Sequence, residues 1–151
     1  MKVTYIKLQD VDLKYNIDFP ELESSVNDLI MKYEIFNVEN GLYFVNTPDD
    51  AGKGYTEMII FSDDYFLNNF IKKTEKYLKI YEVLDITKEV KFDTFNNDFF
   101  VEKFKSDDSN IYDIHQLEKF LELNMTSDDI LDKINLFGIE SITETEKMIL
   151  K

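Results

Sequence analysis

Residues 35–45 carry the clearest structural signal in the chain, and they read Ile-Phe-Asn-Val-Glu-Asn-Gly-Leu-Tyr-Phe-Val. An Asn-Gly pair between two runs of strand-forming residues is the strongest short-range signal for a β-hairpin. We therefore expect strands at about 35–39 and 42–46. The segment that follows, 47–54, contains one proline, two glycines and two aspartates, which predicts a loop.

Alternating apolar and polar residues on either side of this hairpin predict more strands. Residues 2–9 place Val3 and Tyr5 on one face and Ile6 and Leu8 on the other. The run 55–61 contains the consecutive apolar residues Met58, Ile59 and Ile60, as a well-buried strand does. Between these strands, helical spacing behind Pro20 predicts a helix at about 19–33.

Helical spacing dominates from residue 62 onward. We expect a long helix from about 63, a helix capped by Asn97, and helices at 111–123 and 127–137. Gly138 should end the last of these, and Thr143 with Glu146 has the spacing of a capping box for a final short helix. Periodicity leaves 79–86 open between helix and strand, and 90–95 is a candidate short strand.

These patterns predict an α+β protein that forms a single domain over residues 1–151. The N-terminal part, 1–61, is strand-rich and should form a mostly antiparallel sheet packed by helices. The C-terminal part, 62–151, should be helical. A chain of 151 residues matches the usual size of one domain, and no repeat or linker-like tract interrupts it.

Composition restricts the classes of function. The chain carries 17 basic and 31 acidic residues, a net charge of -14, with no arginine and no cysteine. The charge is evenly spread, which argues against binding nucleic acid or an anionic membrane surface. No apolar run has the length of a signal peptide or a membrane span, so we expect a cytoplasmic protein. The abundance of Ile, Lys, Asn, Phe and Tyr indicates an AT-rich genome, so we expect a bacterial or phage source.

The triplet Ser-Asp-Asp occurs three times, at 62–64, 106–108 and 127–129. Paired aspartates can bind Mg²⁺ or Ca²⁺. Serine is also a preferred helix N-cap, and acids in the first turn favour the helix dipole. Because at least two of the triplets precede predicted helices, we interpret them as helix starts, and we predict no metal site, cofactor or catalytic residue.

The loop before the third strand is the first candidate for partner binding. Its residues Asp49, Asp50 and Lys53, with Tyr55 beside them, could make specific polar contacts, because functional residues concentrate on loops. Two glycines and a lysine are not enough for a phosphate-binding loop, which needs G-x-x-x-x-G-K-[ST] before a helix. The loop also lacks the EF-hand spacing.

The single histidine and the aromatic residues are further candidates for a site. His115 is the sole histidine, and one histidine without cysteine cannot form a typical transition-metal site, so we expect it on a helix surface. Most of the 13 phenylalanines should fill the core, whereas several tyrosines could be half exposed. These are Tyr43, Tyr55, Tyr65, Tyr77 and Tyr112.

The C-terminal segment has a pattern of its own. Residues 129–150 contain Ile130-Leu131, Lys133-Ile134, Gly138, Ser141-Ile142-Thr143, Glu146-Lys147 and Leu150. This pattern resembles a short helical tail found in varied bacterial proteins, I-L-x-K-I followed by G-x-x-S-[LI]-T-x-x-E-K. The resemblance covers about 22 residues and implies no activity, and no family is recognised for residues 1–125.

Three readings of the function remain. The preferred hypothesis is a non-catalytic acidic protein-binding module, an inhibitor or immunity-type protein that blocks a basic partner by occluding its positively charged cleft. The alternative is a small enzyme that depends on carboxylates or a divalent metal, for which acids should converge in a pocket. A structural or host-interaction protein without inhibitory action is a third reading. The sequence does not identify the partner or the oligomeric state.

Overall fold

The computed structural model describes residues 1–9, 42–46, 55–76 and 79–150. Within these residues the fold is α+β, as predicted, with an antiparallel sheet followed by helices. Three predictions, the helix at 19–33, the strand at 35–39 and the loop at 47–54, lie outside the described residues. The second strand of the predicted hairpin is confirmed at Leu42–Asn46.

Four strands form the sheet in the order β2-β3-β1-β4, with antiparallel neighbours throughout. They are β1 (Lys2–Gln9), β2 (Leu42–Asn46), β3 (Tyr55–Ser62) and β4 (Ile80–Asp85). The predictions for β1 and β3 are confirmed. β1 is central, because it pairs with β3 on one side and with β4 on the other.

Side-chain alternation gives the sheet two buried faces. Ile6, Leu8, Met58 and Ile60 form one apolar cluster with Phe66 and Phe70 of helix α1 (Asp64–Thr74). Val3, Tyr5, Ile59 and Phe61 are buried on the opposite face. Because successive strand residues point to opposite sides, the period of two in the sequence reports both faces directly.

The segment 79–86, for which the sequence pattern favours neither helix nor strand, contains strand β4. Residues 80–85 pair with β1, with an irregularity in the register next to Lys7 and Leu8. Five of the six side chains of β4 are exposed, which explains why neither a helical nor a strand-like burial pattern stands out in the sequence. The helix predicted from 63 therefore ends at Thr74.

The predicted strand at 90–95 is wrong, because residues Thr87–Lys91 form a short helix, α2. The Asp85 carboxylate accepts hydrogen bonds from the backbone N–H and the hydroxyl of Thr87, at 3.0 and 2.6 Å, and this turn precedes the helix. Asp93 then adopts a positive φ of 59°, so the chain cannot run on as a strand. Val90 and Phe92 are both buried, but Val90 belongs to α2 and Phe92 to the turn that follows it.

The remaining helices follow the predicted boundaries closely. They are α3 (Asp98–Phe104), α4 (Ile111–Asn124), α5 (Ser127–Phe137), a 3-10 turn at Ile139–Ser141, and α6 (Glu144–Ile149). Asn97 caps α3 as predicted, through its side-chain oxygen and the N–H of Phe100. Gly138 ends α5 with a φ of 86°, a conformation that suits glycine. The capping box of Thr143 and Glu146 is present at the start of α6.

The Ser-Asp-Asp triplets are helix starts in two of three cases, but serine is not the cap. Asp63 caps α1 by accepting the N–H of Phe66 at 2.7 Å, whereas Ser62 is the buried last residue of β3. Thr126 caps α5, one residue before Ser127. The triplet at 106–108 lies in a turn after α3, where the Ser106 hydroxyl donates to the carbonyl of Glu102.

Contacts divide the chain into two compact units, Met1–Thr87 and Lys88–Lys151. The first holds the sheet and α1, and the second holds the helices from α3 onward. That residues 1–151 form a single domain stays a prediction. Among the described helices, none has both the length and the apolar character needed to cross a membrane.

The cap assignment predicts different effects for two neighbouring residues. Asp63→Ala should lower the free energy of unfolding by about 1 kcal/mol, because it removes the N-cap of α1. Ser62→Ala should cause no loss, because the buried Ser62 hydroxyl has no hydrogen-bond partner among the residues that the structure describes. Urea unfolding of both variants tests this, and a larger loss for Ser62→Ala would contradict the assignment.

Candidate functional site

Of the residues predicted to bind a partner, Tyr55 alone lies within the described part of the chain. Asp49, Asp50 and Lys53 lie outside it, so their role stays a prediction. Tyr55 is the first residue of β3 and is half-buried. The ammonium group of Lys7 lies 3.8 Å from the centroid of its ring, so one ring face already has a cationic neighbour.

His115 is exposed on the surface of α4, as predicted. Its Nδ1 lies 3.2 Å from the Glu118 carboxylate, one turn further along the same helix. Among the tyrosines considered for an interface, Tyr65 and Tyr112 are exposed. The side chains of Tyr43 and Tyr77 lie outside the described residues. Within the described residues, no group of three or more His, Asp or Glu side chains is placed to hold a metal ion.

A cavity of about 300 Å³ lies within the second unit, residues 88–151. Its lining comes from α2, α3, α4, α5 and α6 and from the turns beside them. The apolar lining residues are Val90, Phe100, Leu117, Leu121, Met125 and Ile149. The charged lining residues are Lys91, Lys105, Lys133, Asp93, Glu118 and Glu146.

Helix periodicity positions the apolar wall. Leu117 and Leu121 are four residues apart on α4, so they lie one above the other on the same side of the helix. Phe100 of α3 packs against Phe104 at a centroid distance of 4.8 Å and edge-on against Phe95 at 5.2 Å. The wall is therefore fixed by packed aromatic and aliphatic side chains.

A buried ion pair between Lys133 and Glu146 forms one side of the cavity. The Lys133 ammonium donates to Glu146 Oε1 at 2.8 Å, and both side chains are buried. Glu146 Oε2 accepts the backbone N–H of Thr143 at 2.6 Å, which completes the capping box of α6. Both oxygens of this carboxylate are thus hydrogen-bonded, as a buried charge requires.

Lys91 forms a second ion pair, with Asp129, at 2.9 Å. The same Asp129 oxygen accepts hydrogen bonds from the backbone N–H and the hydroxyl of Thr126, at 2.9 and 2.8 Å. Burial acts to raise the pKa of Asp129, but the hydrogen bonds from Lys91 and Thr126 outweigh it, and the pKa lies below its ordinary value. One carboxylate therefore completes the capping box of α5 and pairs with a lysine of the cavity lining.

The third ion pair joins Lys105, just after α3, to Asp93. The Lys105 ammonium also lies 5.5 Å from the centroid of the Phe100 ring. Asp93 follows α2 in the left-handed backbone conformation described above. Asp93, whose positive φ prevents a continuous strand, therefore also forms the ion pair with Lys105 of the cavity lining.

The carboxylates of the cavity lining all lie in ionic contacts. Asp93 pairs with Lys105, Glu146 with Lys133, and Glu118 lies beside His115. The lining offers fixed charges beside an apolar wall, which is the usual composition of a ligand pocket.

Comparison with known protein families, curated proteins and solved structures finds no match to this chain. The likeness of residues 129–150 to a bacterial helical tail stays a resemblance. Several residues that carry it have structural roles, since Ile130 and Ile142 pack with Met125 in one buried cluster. Lys133 and Glu146, which also belong to the pattern, form the buried ion pair.

The buried ion pair can be tested by removing one partner. Lys133→Met should lower the free energy of unfolding by about 3–5 kcal/mol, because it leaves the Glu146 carboxylate buried without its counter-charge. Adding Glu146→Gln should recover much of this loss, because no charge is then buried. Lys147→Met, which breaks an exposed pair with Glu144, is the control and should change little. A loss that persists fully in the double variant would contradict the electrostatic cause.

The lowered pKa of Asp129 predicts acid sensitivity. A carboxyl with a lower pKa in the folded than in the unfolded state contributes stability above the unfolded pKa, about 3.9, and this contribution is lost as pH falls through the folded pKa. Asp129→Asn should therefore flatten the decline of stability that sets in below about pH 5. The control is Asp132→Asn, an exposed acid of the same helix. Equal declines in wild type and Asp129→Asn, measured by urea unfolding, would refute the assignment.

Proposed function

We propose that this protein is a non-catalytic acidic protein-binding module whose partner is a basic protein. The observation that carries the proposal is the unequal pairing of charges in residues 88–150. Five of the seven lysines of this range form ion pairs with carboxylates of the same unit: Lys91, Lys103, Lys105, Lys133 and Lys147. The range has fifteen acidic residues, so ten carboxylates remain without a lysine partner.

All ten of these carboxylates are exposed, and the two lysines outside the ion pairs, Lys88 and Lys119, are exposed as well, so the surface of this range is strongly acidic. They are Glu89, Asp98, Glu102, Asp107, Asp108, Glu118, Glu122, Asp128, Asp132 and Glu140. A surface of one sign raises the association rate of an oppositely charged partner and disfavours partners of like charge. The charge pattern therefore favours a basic protein.

Helix α5 presents the best-defined stretch of this surface. Ile130, Lys133 and Ile134 face inward, so Asp128 and Asp132 lie on the outward side. Leu131 and Leu136 are exposed at the borders of that side, and Phe137 and Ile139 follow, also exposed. We call Asp128, Leu131, Asp132 and Leu136 the outer face of α5. Exposed apolar side chains beside acids can contribute contact area as well as charge complementarity.

The proposed mechanism is steric occlusion of a positively charged cleft on the partner, as an inhibitor or immunity-type protein would act. Charge complementarity would set the rate and specificity of association, and the apolar contacts would add affinity. The proposal includes a bacterial source and a cytoplasmic location. A chain without cysteine is compatible with that location, because it needs no oxidising compartment to fold.

Affinity capture with charge-reversal variants tests the proposal. Tagged wild-type protein, incubated with a lysate of its source organism at 50 mM salt, should retain a basic protein that 500 mM salt releases. Asp128→Lys with Asp132→Lys should abolish this retention. The control, Asp107→Lys with Asp108→Lys, changes the net charge equally at a turn outside the outer face of α5 and should retain the partner.

The outcomes distinguish binding through the outer face of α5 from binding through the overall negative charge. If both variants lose the partner equally, the overall field and not the outer face of α5 carries the binding. If mass spectrometry finds no basic protein enriched over a tag-only control, the proposed function is wrong.

A further inference from the structure

Strand β4 forms an edge of the sheet, and apolar side chains are exposed along it. It pairs with β1 on one side, and among the described residues no strand lies beyond it. Tyr81, Val83 and Leu84 are 48%, 41% and 43% exposed. Their neighbours on β1 are buried, since Ile6 lies opposite Val83 and Tyr5 lies opposite Leu84. The apolar surfaces of both sheet faces therefore continue to β4 and are left uncovered there.

The backbone of β4 also has hydrogen-bonding groups that point to the open edge. In an antiparallel pair, residues alternate between those whose N–H and C=O groups point to the neighbour and those whose groups point away. Ile86, at the end of β4, donates its N–H to the carbonyl of Val3 at 2.9 Å. Two residues earlier, Leu84 therefore also points its backbone groups to β1. The backbone groups of Val83 and Asp85 point away from β1.

The features that commonly protect a sheet edge are missing from residues 82–85. Exposed edges often carry a lysine, a proline or a β-bulge, which prevent a further strand from pairing. The sequence of β4 is Ile-Tyr-Glu-Val-Leu-Asp, without lysine or proline. Its register irregularity lies next to Lys7 and Leu8, whereas residues 82–85 pair regularly with β1. Residues 82–85 are therefore a regular template for one more antiparallel strand.

Charge favours a basic segment over a second copy of the chain at this edge. Glu82 is exposed, and the residue opposite it on β1 is Lys7. The Lys7 ammonium instead lies 3.8 Å from the ring centroid of Tyr55 on β3, so Glu82 has no ion-pair partner in the described part of the chain. Opposite charges facing each other stabilise a strand pair. A second copy would bring a further net charge of -14, and the two chains would repel each other.

We propose that residues 82–85 of β4 bind an extended basic segment of a protein partner by strand addition. The segment runs antiparallel to β4 and exchanges backbone hydrogen bonds with Val83 and Asp85. Its apolar side chains lie opposite Val83 and Leu84, and a basic side chain lies opposite Glu82. The inference rests on the proposed function for the class of partner, a basic protein, and adds a binding edge that is separate from the outer face of α5.

Peptide titrations into isotope-labelled full-length protein, followed by NMR, test the proposal. The probe Ser-Thr-Val-Val-Lys-Ser places its four central residues opposite Asp85, Leu84, Val83 and Glu82, in that order. Binding should shift the amide resonances of Val83 and Asp85, whose N–H groups gain an acceptor. Replacing the peptide lysine by glutamate should weaken binding about fivefold. Equal affinities would overturn the basic partner, and absence of shifts in β4 with both peptides would overturn the site.

Two N-methylated forms of the probe distinguish strand addition from binding through side chains alone. Methylation of the second valine, which lies opposite Val83, removes an N–H that donates to β4 and should weaken binding about tenfold. Methylation of the first valine, opposite Leu84, is the matched control, because that N–H points away from β4. The control peptide should bind as the probe does. Equal weakening by both methyl groups, or by neither, would overturn strand addition.

Charge reversal in the protein tests the role of Glu82. Glu82→Lys should weaken binding of the lysine peptide about fivefold and strengthen binding of the glutamate peptide. Glu122→Lys, at an exposed position of α4, changes the net charge equally and should leave both affinities unchanged. Equal effects of the two variants would overturn the contact at Glu82.

A dilution series without peptide tests for a second copy at the same edge. The amide resonances of β4 should not depend on protein concentration. A concentration-dependent shift at Val83 and Asp85 would show that a second copy pairs there and would overturn the basic occupant. Because the peptides replace the natural partner, failure of this edge and failure of the affinity capture are separate results.

Discussion

The buried ion pair between Lys133 and Glu146 is the interaction on which the C-terminal helices depend. It joins α5 to α6 across thirteen residues of sequence, and the same carboxylate caps α6 through the N–H of Thr143. Removing two charges from water is unfavourable, so the pair is tolerated because its geometry is close and Glu146 has a hydrogen bond on each oxygen. Met125, Ile130 and Ile142, from the same stretch of the chain, form a buried apolar cluster. This pair therefore contributes two residues to the cavity lining, completes the capping box of α6 and keeps the Lys133 side chain buried.

Local signals in the sequence were sufficient for most of the described elements. The period of two in residues 2–9 and 55–61 gave β1 and β3, since each face of these strands meets apolar neighbours. Gly138 and the Thr143 capping box marked helix ends, because both act within four residues of the chain. Serine was misassigned as a cap by one residue, because Asp63 and Thr126 beside it supply the accepting oxygen instead.

Non-local pairing explains the elements that the sequence could not settle. β4 is a strand because its backbone pairs with β1, some 75 residues earlier, while its side chains stay mostly exposed. Residues 90–95 contain β-prone residues, yet the turn at Asp85 and Thr87 precedes a helix and Asp93 breaks the extended path. Local propensity cannot report either constraint. The candidate site was missed for the same reason, since its lining comes from five helices and its ion pairs join residues that are distant in sequence.

Net charge is an incomplete description of this protein, because the lysines and the acids of the second unit are paired to different extents. In the second unit, lysines are drawn into ion pairs, three of them around the cavity, while surplus carboxylates remain at the surface. Lysine allows this arrangement because its long aliphatic stem packs on apolar side chains while its ammonium reaches a carboxylate. The carboxylates without a lysine partner are exposed, and they favour a basic macromolecule as the partner of this unit.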